Sequence, residues 1–115
     1  MKLPNAAGAL VPQRKIEDYL LSATHPHGRH KAAFFRQFGF SPEHWEVLAG
    51  ALLRHAASYD TVAAEDMAFG TRYTVEGELA TPDGRTPLVR SVWFIEIDED
   101  FPRFVTAYPL GRREG

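Results

Sequence analysis

The 115-residue sequence contains no cysteine. That absence removes a disulfide framework, a thiolate metal site and a cysteine nucleophile, and it suits a reducing compartment. Long apolar runs are missing too. No segment approaches the roughly 20 apolar residues of a membrane span, and the first ten residues lack the apolar stretch of a signal peptide. The expectation is a soluble, cytoplasmic protein with no membrane partner. The sequence also lacks a Walker loop, G-x-G-x-x-G, G-x-S-x-G and H-E-x-x-H. Nucleotide hydrolysis, dinucleotide binding, α/β-hydrolase and zincin chemistry therefore lose their signatures, and no cofactor is expected. Charge of one sign is scarce as well: the net charge is −2. Bulk electrostatics do not draw this chain to nucleic acid.

The distribution of charge is less even. Residues 1–59 hold seven Lys/Arg against four Asp/Glu, together with all five histidines, whereas residues 60–115 hold six against eleven. A basic face on the first half is one reading, and acidic sheet edges and turns in the second half are the other.

The hydrophobic period changes at the same place. Ile16, Tyr19, Leu20 and Ala23 recur at helical spacing and predict a helix over 12–23, with Pro12 in its first turn. A second helix is expected over 29–38, closed by Gly39, and carries Phe34, Phe35 and Phe38. Ser41-Pro42 restarts the chain into a third helix, to about Ser58, with Trp45, Leu48, Ala49, Leu52 and Ala56 on one stripe. From Asp60 the period is two. Strands are expected over 61–65, 71–79, 87–97 and 103–108. The class is α+β: about three N-terminal helices on one face of a four-stranded antiparallel meander sheet. A single domain over 1–110 and a disordered tail at 111–115 complete the expectation.

Pro82-Asp83-Gly84-Arg85 is a hairpin signal. A two-residue Asp83-Gly84 loop would set Tyr73 opposite Phe94, Val75 opposite Val92 and Leu79 opposite Leu88, all facing the helices. The same register sets Arg90 opposite Gly77 on that apolar face. Arg90 is then either a structural ion-pair member or part of a cleft site. Trp93 falls on the other face with Thr74, and it is either core or an exposed stacking platform.

The densest chemical feature is His25-Pro26-His27-Gly28-Arg29-His30-Lys31. Arg29 and Lys31 open the second helix, where unsatisfied amides favour an anion such as phosphate. Histidine titrates near neutrality and moves protons. The alternative is a solvated loop ahead of a helix. His25-x-His27-x-x-His30 is not a standard zinc spacing, so no metal is expected. His55, near the end of the third helix, reads as a surface or capping group. Lys15 begins the first helix, where the dipole disfavours a cation, a small misfit that raises its functional interest.

As an ordered set, several segments resemble a bacterial family known only as a domain of unknown function. They are Lys15-Ile16-x-x-Tyr19-Leu20-Leu21, His25-Pro26-x-Gly28-Arg29-x-Lys31-Ala32-x-x-Phe35, Phe69-Gly70-x-Arg72-Tyr73-x-Val75, Val89-Arg90-Ser91-Val92-Trp93 and Pro102-Arg103-Phe104-Val105-Thr106-Ala107-Tyr108. Members of that family occur as C-terminal modules of polymorphic toxins and as stand-alone proteins. The element order is similar to the barnase–EndoU–colicin–RelE group of metal-independent ribonucleases. The resemblance implies RNA cleavage with His25 as acid–base group and with Lys31 and Arg90 holding the phosphate. Thr106 would supply a hydrogen bond, and Lys15, Arg29, Trp93 and Tyr108 would bind substrate. A toxin–antitoxin component, an immunity or accessory protein and an inactive relative all stay open. So do a non-catalytic module that binds a small cognate protein through its exposed sheet face, and a homodimer built through the sheet.

Overall fold

The computed structural model describes residues 1–22, Thr24 and 29–110; of Arg29 it describes the backbone. The expected tail at 111–115 lies outside these residues. The architecture is α+β, with three helices preceding a four-stranded antiparallel sheet of order β1-β2-β3-β4. None of the described helices is long and apolar enough to cross a membrane.

Helix α1 begins as Gln13–Lys15 and continues as a π-helical stretch, Ile16–Leu20, closed by the Leu21 amide bonding the Ile16 carbonyl at 2.8 Å. The wider turn lets Ile16, Leu20 and Leu21 all reach the core with no exposed surface. It also turns Tyr19 to the rim, where it is half-buried. Such π turns recur at functional sites. Helix α2 spans Arg29–Gln37 and ends on Gly39 at φ 102°, the left-handed position a glycine tolerates without strain. A 3₁₀ turn, Pro42–His44, leads into α3, Trp45–Ser58. Ser41 is extended, but its side chain makes no capping bond.

The strands are β1 (Thr61–Met67), β2 (Gly70–Glu78), β3 (Leu88–Glu96) and β4 (Arg103–Pro109). β3 is paired on both sides and β1 and β4 are the edges. Val75, Leu79, Val89, Trp93, Phe104 and Ala107 face the helices and meet Phe35, Leu48, Leu52 and Ala56 in one buried cluster. Each large apolar side chain removed from water here contributes about 1.5–3 kcal/mol.

The β2–β3 register differs from expectation by one residue. Tyr73 pairs with Trp93, Val75 with Ser91, Glu76 with Arg90 and Gly77 with Val89. The cause is the turn. The Gly84 amide bonds the Thr81 carbonyl at 3.1 Å, so Pro82 and Asp83 are its central residues and Gly84 follows at φ 88°. Proline's fixed φ suits the first central position of this turn, and the extra left-handed glycine makes a three-residue loop instead of two. A one-residue slip moves every side chain to the opposite face. Arg90 therefore leaves the apolar side for the open face. The space over Gly77 is filled by the Tyr59 ring, not by an arginine: a Cβ at Gly77 would overlap that ring.

Candidate anion-binding groove

Lys31 lies in the first turns of α2 and reaches over the β4 edge. Its ammonium donates to the Tyr19 hydroxyl at 2.6 Å and to Thr106 Oγ1 at 3.0 Å; those two oxygens are 3.2 Å apart. Lys15, one helical turn before Tyr19, donates to the Val105 carbonyl at 3.2 Å and sits 5.9 Å from the centre of the Tyr19 ring. An irregularity in the β3–β4 ladder between Val92 and Trp93 accommodates Val105 as the extra residue. Bulges of this kind re-aim neighbouring groups, here the Val105 carbonyl and the Thr106 hydroxyl.

Tyr108, two residues on, faces the same way as Thr106. Its ring centre is 5.5 Å from Lys31 Nζ and 5.5 Å from the Arg90 guanidinium carbon, so one aromatic ring is shared by two cations. Arg90 donates to the Tyr108 hydroxyl at 3.1 Å and to Glu76 at 2.6 Å. The bonds to Tyr108 and Glu76 outweigh burial and raise the guanidinium's pKa above its ordinary value.

The electrostatics differ between the two cation types. Arg90 is neutralised by Glu76. Among the described residues, neither Lys15 nor Lys31 forms a salt bridge. Both ammoniums rest on neutral oxygens. Lys15 lines an open groove of about 790 Å³ with Arg14, Asp18, Val105 and the two residues that Lys31 bonds, Tyr19 and Thr106. The Tyr19 phenol registers this excess positive charge. Burial pushes its pKa up, but the hydrogen bonds from Lys31 and Thr106 and the charges of Lys31 and Lys15 together hold it below its ordinary value of 10. Ammoniums without a carboxylate partner among the described residues, beside a hydroxyl and a phenol of lowered pKa, have the chemistry to accept an anion.

Of the residues singled out in the sequence, Lys31, Thr106 and Lys15 are brought together around Tyr19, and Arg90 and Tyr108 adjoin them. His25 lies outside the described residues, as do Pro26, His27, Gly28 and the side chain of Arg29. Trp93 is corrected. It has no exposed surface, lies on the helix side of the sheet and donates its indole N–H to Ser91 at 2.8 Å, so it offers no platform for a base. His55 is corrected too: it is 2% exposed, with Nδ1 3.0 Å from Ser91 Oγ and Nε2 3.0 Å from the Val89 carbonyl. Tyr19, which joins this cluster, was not singled out as a site residue, because its spacing assigns it to an apolar stripe. Among the described residues no group of three or more His, Asp or Glu side chains is placed to hold a metal ion.

This chain belongs to a family described as "Domain of unknown function (DUF6883)". The family model matches residues 2–111. No curated protein matches the chain. Among solved structures it is similar to a chain of "Contact-dependent growth inhibition toxin - immunity protein complex from Klebsiella pneumoniae 342". The two share 19% identity at a TM-score of 0.69, over 87% of this chain and 98% of that one. At that identity the likeness is one of fold.

Proposed function

We propose that this DUF6883 chain is a toxin-like domain that cleaves RNA in the cytoplasm without a metal. The observation that carries this reading is a pair of ammoniums, Lys15 and Lys31, that form no salt bridge among the described residues and are joined through Tyr19, Thr106 and Val105, which line one open groove with Lys15. A phosphodiester fits those donors. In the reaction the ribose 2′-oxygen attacks the adjacent phosphorus, its proton passes to a base, the P–O5′ bond breaks and O5′ takes a proton from an acid. The products are a 2′,3′-cyclic phosphate and a 5′-hydroxyl. Lys31, Lys15 and the Thr106 and Tyr19 hydroxyls would stabilise the charge gathering on the phosphorane oxygens. His25, on the segment leading into α2, is the proposed proton carrier. Arg90 and Tyr108 hold the flanking nucleotide, and Arg29 adds charge at the helix start.

The fold likeness to a chain of a toxin–immunity complex supports a toxin-like module with a cognate partner protein. The test is a defined RNA incubated with purified protein in the presence of a chelator, for wild type, His25→Ala and Lys31→Met. Cleavage with cyclic-phosphate ends in the wild type, and its loss in both variants, is expected. Intact RNA throughout would sink the reading.

A second reading, a non-catalytic immunity or accessory module, is favoured by a different feature. Phe69 and Ile97 are 79% and 75% exposed and adjoin at one end of the sheet, where the Ile97 amide bonds the Phe69 carbonyl at 2.9 Å. A side-by-side apolar pair so exposed suits a protein partner.

A further inference from the structure

Three neighbouring rows of side chains cross the strands in the middle of the sheet's open face. One row is Glu65, Arg72, Phe94 and Arg103, and another is Glu76, Arg90 and Tyr108. Between them runs Ala63–Thr74–Val92–Thr106, a row of small residues. Adjacent rows on one face are two residues apart, about 7 Å, and three strand-to-strand steps span about 14 Å. The result is a trough across the sheet with Val92 in its floor, and it encloses about 350 Å³.

Three features identify the occupant. The trough is continuous with the anion site: it ends on Thr106, whose hydroxyl accepts from Lys31, and Val105 and Thr106 line both cavities. Each wall contains a cross-strand Arg–Glu pair, Arg72–Glu65 at 2.6 Å and Arg90–Glu76. A guanidinium supplies donors and a carboxylate supplies acceptors, so each wall meets the mixed donor and acceptor edge of a nucleobase. The floor between them, Val92 and the Thr74 methyl, offers apolar surface to a flat ring, and Tyr108 offers an aromatic rim.

We infer that this trough is a nucleoside-binding subsite: it takes the ribose and base of a nucleotide whose phosphate sits on Lys31 and Thr106. The inference rests on the RNA reading above and gives it a polarity. The chain of the RNA crosses the sheet from β4 toward β1, and the charged walls select among bases.

The test is an amide NMR titration of the full chain with inorganic phosphate, guanosine 3′-monophosphate and uridine 3′-monophosphate. Phosphate alone is expected to shift Lys31, Tyr19 and Thr106. A nucleotide is expected to shift Thr74, Val92 and Arg72 as well and to bind about tenfold more tightly than phosphate. Thr74→Phe fills the trough from its centre and Ala63→Phe fills it from the exposed edge, where folding is indifferent to the change. Each should return nucleotide affinity to the phosphate level and leave phosphate binding unchanged. Nucleotides that bind no better than phosphate, or that shift only the lysine cluster, overturn the trough and leave RNA cleavage standing. A nucleotide seated in the trough of a protein that leaves RNA intact sustains the subsite and removes the cleavage. No response to any of the three probes overturns both.

Discussion

Two hydrogen-bonded clusters lie on opposite sides of the same sheet, and they are built to opposite ends. On the helix side, the Trp93 indole donates to Ser91 at 2.8 Å and Ser91 lies 3.0 Å from His55 Nδ1. His55 Nε2 is flanked by the Gly77 and Val89 carbonyls at 3.1 and 3.0 Å. Those carbonyls can only accept, so Nε2 carries the proton and Nδ1 accepts from Ser91. Every group is satisfied internally, and none of the three residues is more than 2% exposed. At the β4 edge, Lys31, Tyr19 and Thr106 also form a closed triangle, but it carries an ammonium with no carboxylate among the described residues and it opens on a groove. A polar cluster that satisfies itself in the interior specifies the fold. One that keeps unneutralised charge at a surface is held ready for a ligand.

That contrast breaks most sharply at Lys31. Lys31→Met keeps the aliphatic stem and removes the charge. RNA cleavage should fall by about 10²–10³-fold, the usual effect of deleting a donor to a developing oxyanion. The melting temperature should move by no more than about 2 °C, because a half-exposed lysine contributes little to folding. A large loss of stability with activity retained would reverse the roles assigned to the two clusters.

Ser91→Ala is the complementary change. It strands the Trp93 N–H and the His55 acceptor in the core, and each unpaired group costs about 1–3 kcal/mol. Urea denaturation should show a loss of about 2–3 kcal/mol, while cleavage per folded molecule stays at the wild-type level.

Much of this is legible in the sequence. Helical spacing located α2 and α3, and period two with an acidic turn located the meander. The register was not, although Pro82 held the clue. Its fixed φ belongs at the first central position of a type I turn, and reading it there gives the three-residue loop and the correct faces. The misassignment of Trp93 and Arg90 follows from that slip alone. His55 was readable from Leu48 and Leu52, with which it shares a helical face at i+7 and i+3, but a histidine there looks polar until a serine across the sheet receives it. Tyr19 could not be read, because the π turn that rotates it out of the apolar stripe has no sequence signature of its own.

The interior cluster should also be the pH-sensitive one. Burial lowers the pKa of His55 below its ordinary 6.5, against the pull of the two carbonyls. The unfolded chain then binds the proton more readily than the folded one. Stability contributed by neutral His55 is complete well above pH 6.5 and declines as pH falls through 6.5 toward the folded value, with a slope of at most about 1.4 kcal/mol per pH unit. Unfolding free energies of wild type and His55→Gln, compared between neutral and mildly acid pH, should diverge by this term. Parallel curves would show that His55 titrates like an exposed group.

The smallest expected effect is the most specific to the groove. Tyr19 is half-buried, and burial alone would raise its phenol above 10. It titrates below that value because Lys31 and Thr106 bond the oxygen and two ammoniums lie nearby. Lys31→Met removes a donor at 2.6 Å and one charge but leaves the burial, so the Tyr19 titration should move upward. Lys15→Met removes only a charge and should move it less. A difference ultraviolet titration against Tyr19→Phe isolates this phenol from the chain's other three tyrosines. Were the value unmoved in both lysine variants, the phenol would not be sensing them, and the cationic groove would lose the group that links its two lysines.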